Sequence, residues 1–228
     1  MSLDDGDDDH PLRYSQPLEF ASVVIGRDWS GGCYHPAHMN PDNPTIELQR
    51  TRRSVAPRLL TEPAPSESEL ETMITIAARV PDHGRLTPWR FIVIDREAAT
   101  RLGEVIARTY ASDHPDADAE RLTIERTRLT QAPLVIAVVS RAAPHEKIPE
   151  WEQVLSAGMA TMNLIVAANA LGYATNLYTQ WYAYDRRVLT ELGLAPHERL
   201  VGFVHVGTAT ERPADRARPS LDEIVTRY

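Results

Sequence analysis

Cysteine is nearly absent from the sequence, with Cys33 the only one among 228 residues. A single cysteine cannot form a disulfide within the chain or supply a cysteine-rich metal site. Lysine is equally scarce, because Lys147 is the one lysine among 24 basic residues. Arginine must therefore carry nearly all positive charge, and its planar guanidinium suits bidentate contacts with phosphate. Genomic base composition is the simpler explanation of the arginine surplus as a whole.

Long apolar runs are also missing. The longest uninterrupted run, Leu134 to Val139, is far shorter than the roughly 20 residues that cross a bilayer, and no charged-then-apolar leader opens the chain. We therefore expect a soluble, cytoplasmic protein that makes no membrane contact.

Two binding signatures are absent as well. The eight histidines include no His-x-x-x-His or Glu-x-x-His pair, so we expect no metal site. The pattern Gly-x-Gly-x-x-Gly does not occur, so any nucleotide must be held by a different device.

Most of the formal charge of −8 comes from an acidic run near the N-terminus, formed by Asp4, Asp5, Asp7, Asp8 and Asp9. Without these five acids, 27 acidic residues face 24 basic ones, a net charge of −3. This mild balance argues against a protein that binds nucleic acid through its phosphate backbone.

The chain divides at about residue 44. Residues 1–44 show neither helical nor strand periodicity, and we interpret them as an N-terminal extension outside the core. Residues 45–228 form the single predicted domain. Its predicted helices cover about 66–80, 95–110, 119–130, 151–171 and 185–193, and its predicted strands cover 91–94, 134–139, 174–178 and 200–206.

Two of these segments indicate the architecture. Leu134 to Val139 is apolar on both faces and rich in β-branched residues, which favours a central strand covered on both sides. The segment Trp151 to Leu171 is apolar all round and rich in small residues, which predicts a buried helix. The mixed order of elements predicts an α+β sandwich in which helices cover a mixed central sheet.

Several polar segments could bind an anion or a flat ligand. Arg52-Arg53-Ser54 could hold a terminal phosphate, although such a tripeptide alone is more often solvated surface. The tail residues Arg216 and Arg218 could assist it, and a solvated arginine tail is an equal alternative.

Two loops are further candidates. In the loop from Arg79 to Phe91, His83 could donate to a ligand or could cap the preceding helix. The segment Asn176 to Trp181 could form a wall over a flat ligand, and its aromatic residues could equally lie at a subunit interface.

Four motifs in this order resemble the nitroreductase family, and more closely its minimal, single-domain YdjA-type members. They are Arg52-Arg53-Ser54, Ala78-Arg79-x-Pro-Asp82-His83 with Pro88-Trp89-x-Phe91, Pro149-x-Trp151-Glu152-Gln153 with Ser156-Ala-Gly158, and Val201-Gly-Phe-x-x-x-Gly207-Thr208. The resemblance covers about residues 46–228. It implies a domain-interlocked homodimer that binds flavin mononucleotide (FMN) at the subunit interface.

The resemblance also implies roles for individual residues. Arg52, Arg53 and Ser54 would hold the FMN phosphate, while Arg79 and His83 would reach the flavin bound mainly by the partner subunit. The remaining positions depart from the family pattern. Leu177-Tyr178-Thr179 stands where relatives have Trp-Arg-Ser, Thr87 replaces a glutamine common in relatives, and Arg216-x-Arg218 is similar to a Lys-x-Arg phosphate clamp of larger family members.

The activity implied is hydride transfer from NADH or NADPH to nitroaromatic, quinone or related organic acceptors, in a ping-pong order. One alternative is a specialised flavin reaction on the same fold, such as dehalogenation or flavin destruction. Another is a non-catalytic FMN-binding or regulatory protein. No proton-donating side chain is assigned, because the flavin carries the chemistry.

Overall fold

The computed structural model describes residues 43–228, so the predicted extension lies outside the described residues except for its last two positions. The helices are α1 (Pro44–Thr51), α2 (Glu67–Ala77), α3 (Arg96–Asp113), α4 (Ala119–Arg126), α5 (Glu150–Ala170), α6 (Arg186–Glu191) and α7 (Leu221–Ile224). The strands are β1 (Leu60–Thr61), β2 (Trp89–Ile94), β3 (Leu134–Ser140), β4 (Ala174–Tyr178) and β5 (Arg199–Ala209). Among these residues, no helix has the length and apolar character that a bilayer crossing requires.

Helix α2 shows how local sequence sets the ends of a helix. Ser66 and Glu69 form a capping box, in which the Ser66 amide donates to the Glu69 carboxylate at 2.8 Å and the Glu69 amide donates to the Ser66 hydroxyl at 3.4 Å. The helix ends at Ala77, three residues earlier than predicted. Pro81 follows closely, and proline disfavours helical backbone in the residue before it.

Strand β5 is the centre of the sheet. It pairs with β3 along one edge and with β4 along the other, and β1 pairs with its C-terminal end. Strand β2 pairs with β3. The α+β sandwich is therefore confirmed, with β5 and β3 as its inner strands.

The prediction of a mixed sheet is wrong for the described chain, because all four strand pairings are antiparallel. Strands β3 and β4 do run in the same direction and are joined through α5. They are not neighbours, because β5 lies between them and is antiparallel to both. The parallel contact found among residues 43–228 is an isolated bridge between Ser54 and Thr175.

Alternation along β5 builds a core on each side of the sheet. Phe203 faces α3 and α6, where it packs against the buried ring of Tyr182. Val204 and Val206 face α2 and α5. Every residue of β3 is buried, which confirms the prediction of a central strand covered on both sides.

Helix α5 is not buried all round, contrary to the prediction from its apolar composition. One face packs on the sheet, with Ala157, Ala160 and Leu164 fully buried. The opposite face presents an exposed apolar stripe at helical spacing. We call these residues the α5 stripe: Trp151 is 67% exposed, Leu155 46%, Met159 39% and Met162 38%.

A buried ion pair ties β2 to the loop before β5. Glu198, which is 6% exposed, accepts from the Arg90 guanidinium at 2.8 and 2.7 Å and from the Ala195 amide at 2.8 Å. The hydrogen bonds from Arg90 are the largest cause that lowers the pKa of Glu198, to about 2.

This ion pair predicts a pH-dependent stability. Because the pKa of Glu198 is depressed by folding, its contribution is fully present above about pH 4.5 and is lost as the pH falls towards about 2. At neutral pH, Glu198→Gln should lower the free energy of unfolding by about 2 to 3 kcal/mol. Urea unfolding at several pH values measures this difference, which should shrink on acidification, while Glu191→Gln, at an exposed position of α6, serves as the control. A difference that stays constant with pH would contradict the assignment.

Candidate functional site

Five residues from two distant parts of the chain line one small cavity. Arg52, Arg53 and Ser54 follow α1, and Arg216 and Arg218 belong to the tail after β5. The cavity they share has a volume of about 140 Å³. We call it the arginine cavity. The structure thus brings together five of the eleven predicted binding residues.

The segment that carries Arg52 to Ser54 is anchored to the sheet. The Val55 amide donates to the Thr175 carbonyl at 3.0 Å, and the Asn176 side chain donates to the Val55 carbonyl at 2.9 Å. Val55 itself is buried. Strand β4 therefore fixes the position of this segment, although α1 before it has no buried residue.

Positive charge dominates the arginine cavity. Arg53 donates to the Ala214 carbonyl and lies 3.5 Å from the Asp215 carboxylate, which is 3.6 Å from Arg218. Partial burial, followed by the charges of Arg218, Arg216 and Arg53, lowers the pKa of Arg52 below its ordinary value. One carboxylate beside four guanidinium groups leaves an excess of positive charge, so the cavity suits a multivalent anion.

Asp215 is a residue that the motif comparison missed. The amide of Arg216 and the nearby arginines lower the pKa of its carboxyl group. Its contacts with Arg53 and Arg218 connect the two parts of the cavity. The sequence signal was its place beside Arg216 and three residues before Arg218, since an acidic residue so close to two arginines can pair with one of them.

The predicted loop after α2 forms a tight turn away from the arginine cavity. Asp82 accepts from the amides of Leu86 and Thr87 at 3.0 and 2.9 Å. Gly84, Arg85 and Thr87 all have positive φ angles of 68°, 54° and 49°, which is unfavourable for the two non-glycine residues. The Asp82 carboxylate offsets this cost and holds the turn closed.

Helix α5 supports the same loop. The Ser156 hydroxyl donates to the Pro81 carbonyl at 2.6 Å, and the Asn163 side chain donates to the Arg79 carbonyl at 3.0 Å. His83 Nδ1 lies 2.7 Å from the Glu152 carboxylate. The chain does not bring Arg79, His83 or Thr87 into the arginine cavity, and the side chains of all three residues are exposed.

The β4 segment presents its side chains to opposite faces. Leu177 and Thr179 point to one side, where a side chain on Gly202 would lie 2.6 Å and 3.4 Å from them. Tyr178 points to the other side and meets the buried ring of His205 edge-on at 6.0 Å. Burial lowers the pKa of His205 to about 4, so this ring is neutral at ordinary pH. The side chains of the three predicted residues therefore cannot all form one wall.

A buried carboxylate holds the chain that follows β4. Glu125 is fully buried and accepts from Arg128 at 2.9 and 3.1 Å and from the Trp181 indole at 3.0 Å. Helix α4 is thereby joined to the end of the β4 segment. The segment is consequently rigid at both ends, because its start is bonded to residues 54 and 55.

Together the α+β sandwich and the arginine cavity define a candidate anion-binding protein. Residues 50–208 match the family model described as the nitroreductase family. Since this match covers more than half of the sequence, the chain belongs to the nitroreductase family.

Relatives of this chain carry provisional names that agree with the family. A Haemophilus influenzae protein provisionally named an NAD(P)H nitroreductase is 33% identical over 174 residues, which are 76% of this chain and 92% of the relative. The Escherichia coli protein YdjA, with the same provisional activity, is 32% identical over 164 residues, or 72% and 87% of the two chains. The resemblance to YdjA-type proteins is therefore confirmed.

A solved structure supports the fold. A Desulfovibrio desulfuricans protein, provisionally described as a nitroreductase and solved in complex with FMN, has a TM-score of 0.62 and 21% identity. The alignment covers 82% of this chain and 98% of that one.

Proposed function

We propose that this protein is an FMN-dependent oxidoreductase that takes its electrons from NADH or NADPH and reduces nitroaromatic, quinone or related organic acceptors. The arginine cavity is the observation that carries this proposal. Membership of the nitroreductase family supports it, as do relatives named for NAD(P)H and a neighbouring structure that contains FMN.

The residues of the arginine cavity fit the phosphate of FMN. A terminal phosphate offers three oxygens and close to two negative charges, and guanidinium groups pair with such oxygens in a bidentate manner. Arg52 and Arg53 would hold these oxygens together with the Ser54 hydroxyl. Arg216 and Arg218 would complete the clamp from the opposite side, and Asp215 would keep Arg53 and Arg218 in place between ligands.

Strand β4 leads from the phosphate site towards the place proposed for the flavin ring. Thr175 contacts Ser54, and Thr179 lies four residues farther along, a distance of about 13 Å in extended chain. Leu177 and Thr179 would contribute side chains on one face, and Tyr178 would contribute its backbone. Bound FMN would supply two-electron chemistry, accepting hydride from NAD(P)H and passing it on after the oxidised nicotinamide has left.

The site would be completed by a second copy of the chain. Arg79, His83 and Thr87 lie on an exposed loop outside the arginine cavity, and the proposal assigns Arg79 and His83 to the flavin bound mainly by the partner. Three residues of the α5 stripe, Leu155, Met159 and Met162, line an apolar groove of about 560 Å³. An exposed apolar surface of this kind favours a protein interface.

The tail supports an interlocked arrangement of the two subunits. Leu221 is 73% exposed, Ile224 62% and Val225 52%. Within residues 43–228 these apolar side chains are left exposed, and we propose that a partner subunit buries them. We also propose that residues 45–228 form the FMN-binding domain and that residues 1–44 lie outside it.

The proposed activity has a direct spectroscopic test. The purified protein should be yellow, or should become yellow with FMN, and should bleach when NADH or NADPH is added without oxygen. Subsequent addition of a nitroaromatic or quinone acceptor should restore the colour. A protein that neither binds FMN nor oxidises either nicotinamide would exclude the proposal, and binding without oxidation would favour a non-catalytic flavoprotein.

The phosphate assignment predicts a difference between two ligands. A hydrogen bond to a charged group contributes about 1.5 to 3 kcal/mol, so Arg52→Ala or Arg53→Ala should weaken FMN binding roughly 10-fold to 150-fold. Riboflavin lacks the phosphate and should be affected much less. Fluorescence titrations of both ligands measure this, with Arg58→Ala on the nearby exposed surface as the control. Equal losses for both ligands would show that the arginines act through folding.

The proposed interface predicts an effect of charge in the α5 stripe. Met159→Glu should convert the dimer to monomers and should weaken FMN binding, because a carboxylate would be buried without a partner. Light scattering reports the mass, and Ile124→Glu, at an exposed position of α4, is the control. A wild-type monomer with full FMN affinity would refute the dimeric site.

A further inference from the structure

We propose that Glu152 is a positioning residue for His83: its carboxylate holds the imidazole in one orientation and one tautomer, so that Nε2 is presented to the ligand as an acceptor. The identity of that ligand rests on the proposed function, in which His83 reaches the flavin of the partner subunit. The pairing itself rests on contacts within this chain.

The atoms in contact determine the tautomer. Glu152 Oε2 lies 2.7 Å from His83 Nδ1. A carboxylate can only accept a hydrogen bond, so Nδ1 must carry the proton and donate. In the neutral ring Nε2 then has a lone pair and no hydrogen. It would therefore accept from a ligand hydroxyl or ring N–H, and could not donate to a carbonyl oxygen.

The surrounding backbone makes this orientation reproducible. Ser156 and Asn163, on the same helix as Glu152, donate to the carbonyls of Pro81 and Arg79 at 2.6 and 3.0 Å. These residues stand four and eleven positions after Glu152 and so share its side of the helix. One helix therefore fixes both the backbone before His83 and the ring of His83.

A merely stabilising ion pair is the weaker explanation. The side chains of His83 and Glu152 are 63% and 46% exposed, and exposed pairs contribute little to folding stability. The loop backbone is already held by Asp82, Ser156 and Asn163. The contact with the Glu152 carboxylate therefore sets the orientation of the His83 imidazole.

The first experiment needs no flavin. In the full-length, ¹⁵N-histidine-labelled protein at mildly alkaline pH, where imidazole is neutral, nitrogen chemical shifts distinguish the two tautomers, and His83→Gln identifies the signal. Wild-type His83 should show the Nδ1–H form. Glu152→Ala should shift it to the Nε2–H form, and Glu152→Gln should restore Nδ1–H because its amide oxygen accepts. A wild-type Nε2–H ring, or no change in Glu152→Ala, would overturn the proposal.

The second experiment is a double-mutant cycle on FMN affinity. Glu152→Ala should weaken binding roughly twofold to tenfold in the wild-type background and should have no effect in the His83→Ala background. Glu150→Ala is the matched control, because Glu150 is also exposed in the first turn of α5. Equal losses in both backgrounds would show that Glu152 acts independently of His83.

The two experiments separate this inference from the proposed function. If His83→Ala leaves FMN affinity unchanged while the Nδ1–H tautomer still depends on Glu152, the role given to His83 at the flavin fails and the positioning by Glu152 stands. If the tautomer does not depend on Glu152, the positioning fails whatever the protein binds.

Discussion

The contact of helix α5 with the sheet is the constraint on which the other features depend. Its buried face, with Ala157 and Ala160, lets the helix approach closely, and this fixes the height of its remaining side chains above the sheet. On one side of the helix, Ser156 and Asn163 donate to the carbonyls of residues 81 and 79. Another side of the helix carries the exposed α5 stripe. A shift of this helix would displace the His83 loop and the proposed interface together.

The arginine cavity depends on a different effect, the electrostatic repulsion between neighbouring guanidinium groups. Four arginines line this cavity, and the Asp215 carboxylate contacts two of them, Arg53 and Arg218. The lowered pKa of Arg52 reflects both its burial and its cationic neighbours. Bringing these cations together is unfavourable on its own, so the binding energy of an anion placed there would come partly from relief of their repulsion. The hydrogen bonds to β4 hold the segment with Arg52 and Arg53 in place, so this part of the chain cannot easily move away from the other arginines.

Local features of the fold could be predicted from the sequence, because short-range chemistry determines them. The Ser66–Glu69 capping box, the buried strand β3 and the glycine after α5, with φ of 94° at Gly172, follow from neighbouring residues. The antiparallel sheet could not be predicted, since it depends on β5 entering between β3 and β4. The apolar composition of α5 likewise indicated a buried helix. Composition alone could not show that only one face of the helix packs on the sheet and that the opposite face is exposed.

Some features of the candidate site could be predicted from the sequence and others could not. Resemblance identified the arginines at both ends of the cavity, but composition alone allowed a solvated tail. The opposite orientations of Leu177 and Tyr178 follow from the alternation of side chains along a strand, whereas the residues of β5 that lie opposite them depend on the register of the sheet. The role of Glu152 was hidden because its partner, His83, is 69 residues away in the sequence.

The connection between Arg53 and the carbonyl of Ala214 spans 161 residues, and this has a consequence for biosynthesis. Translation proceeds from the N-terminus, so Arg53 is made long before Ala214, and the inner strand β5 is the last strand to be made. The arginine cavity can therefore form only after synthesis has reached the tail. A truncation directly after β5 would remove Arg216 and Arg218 and leave Arg52, Arg53 and Ser54 as the remaining lining residues.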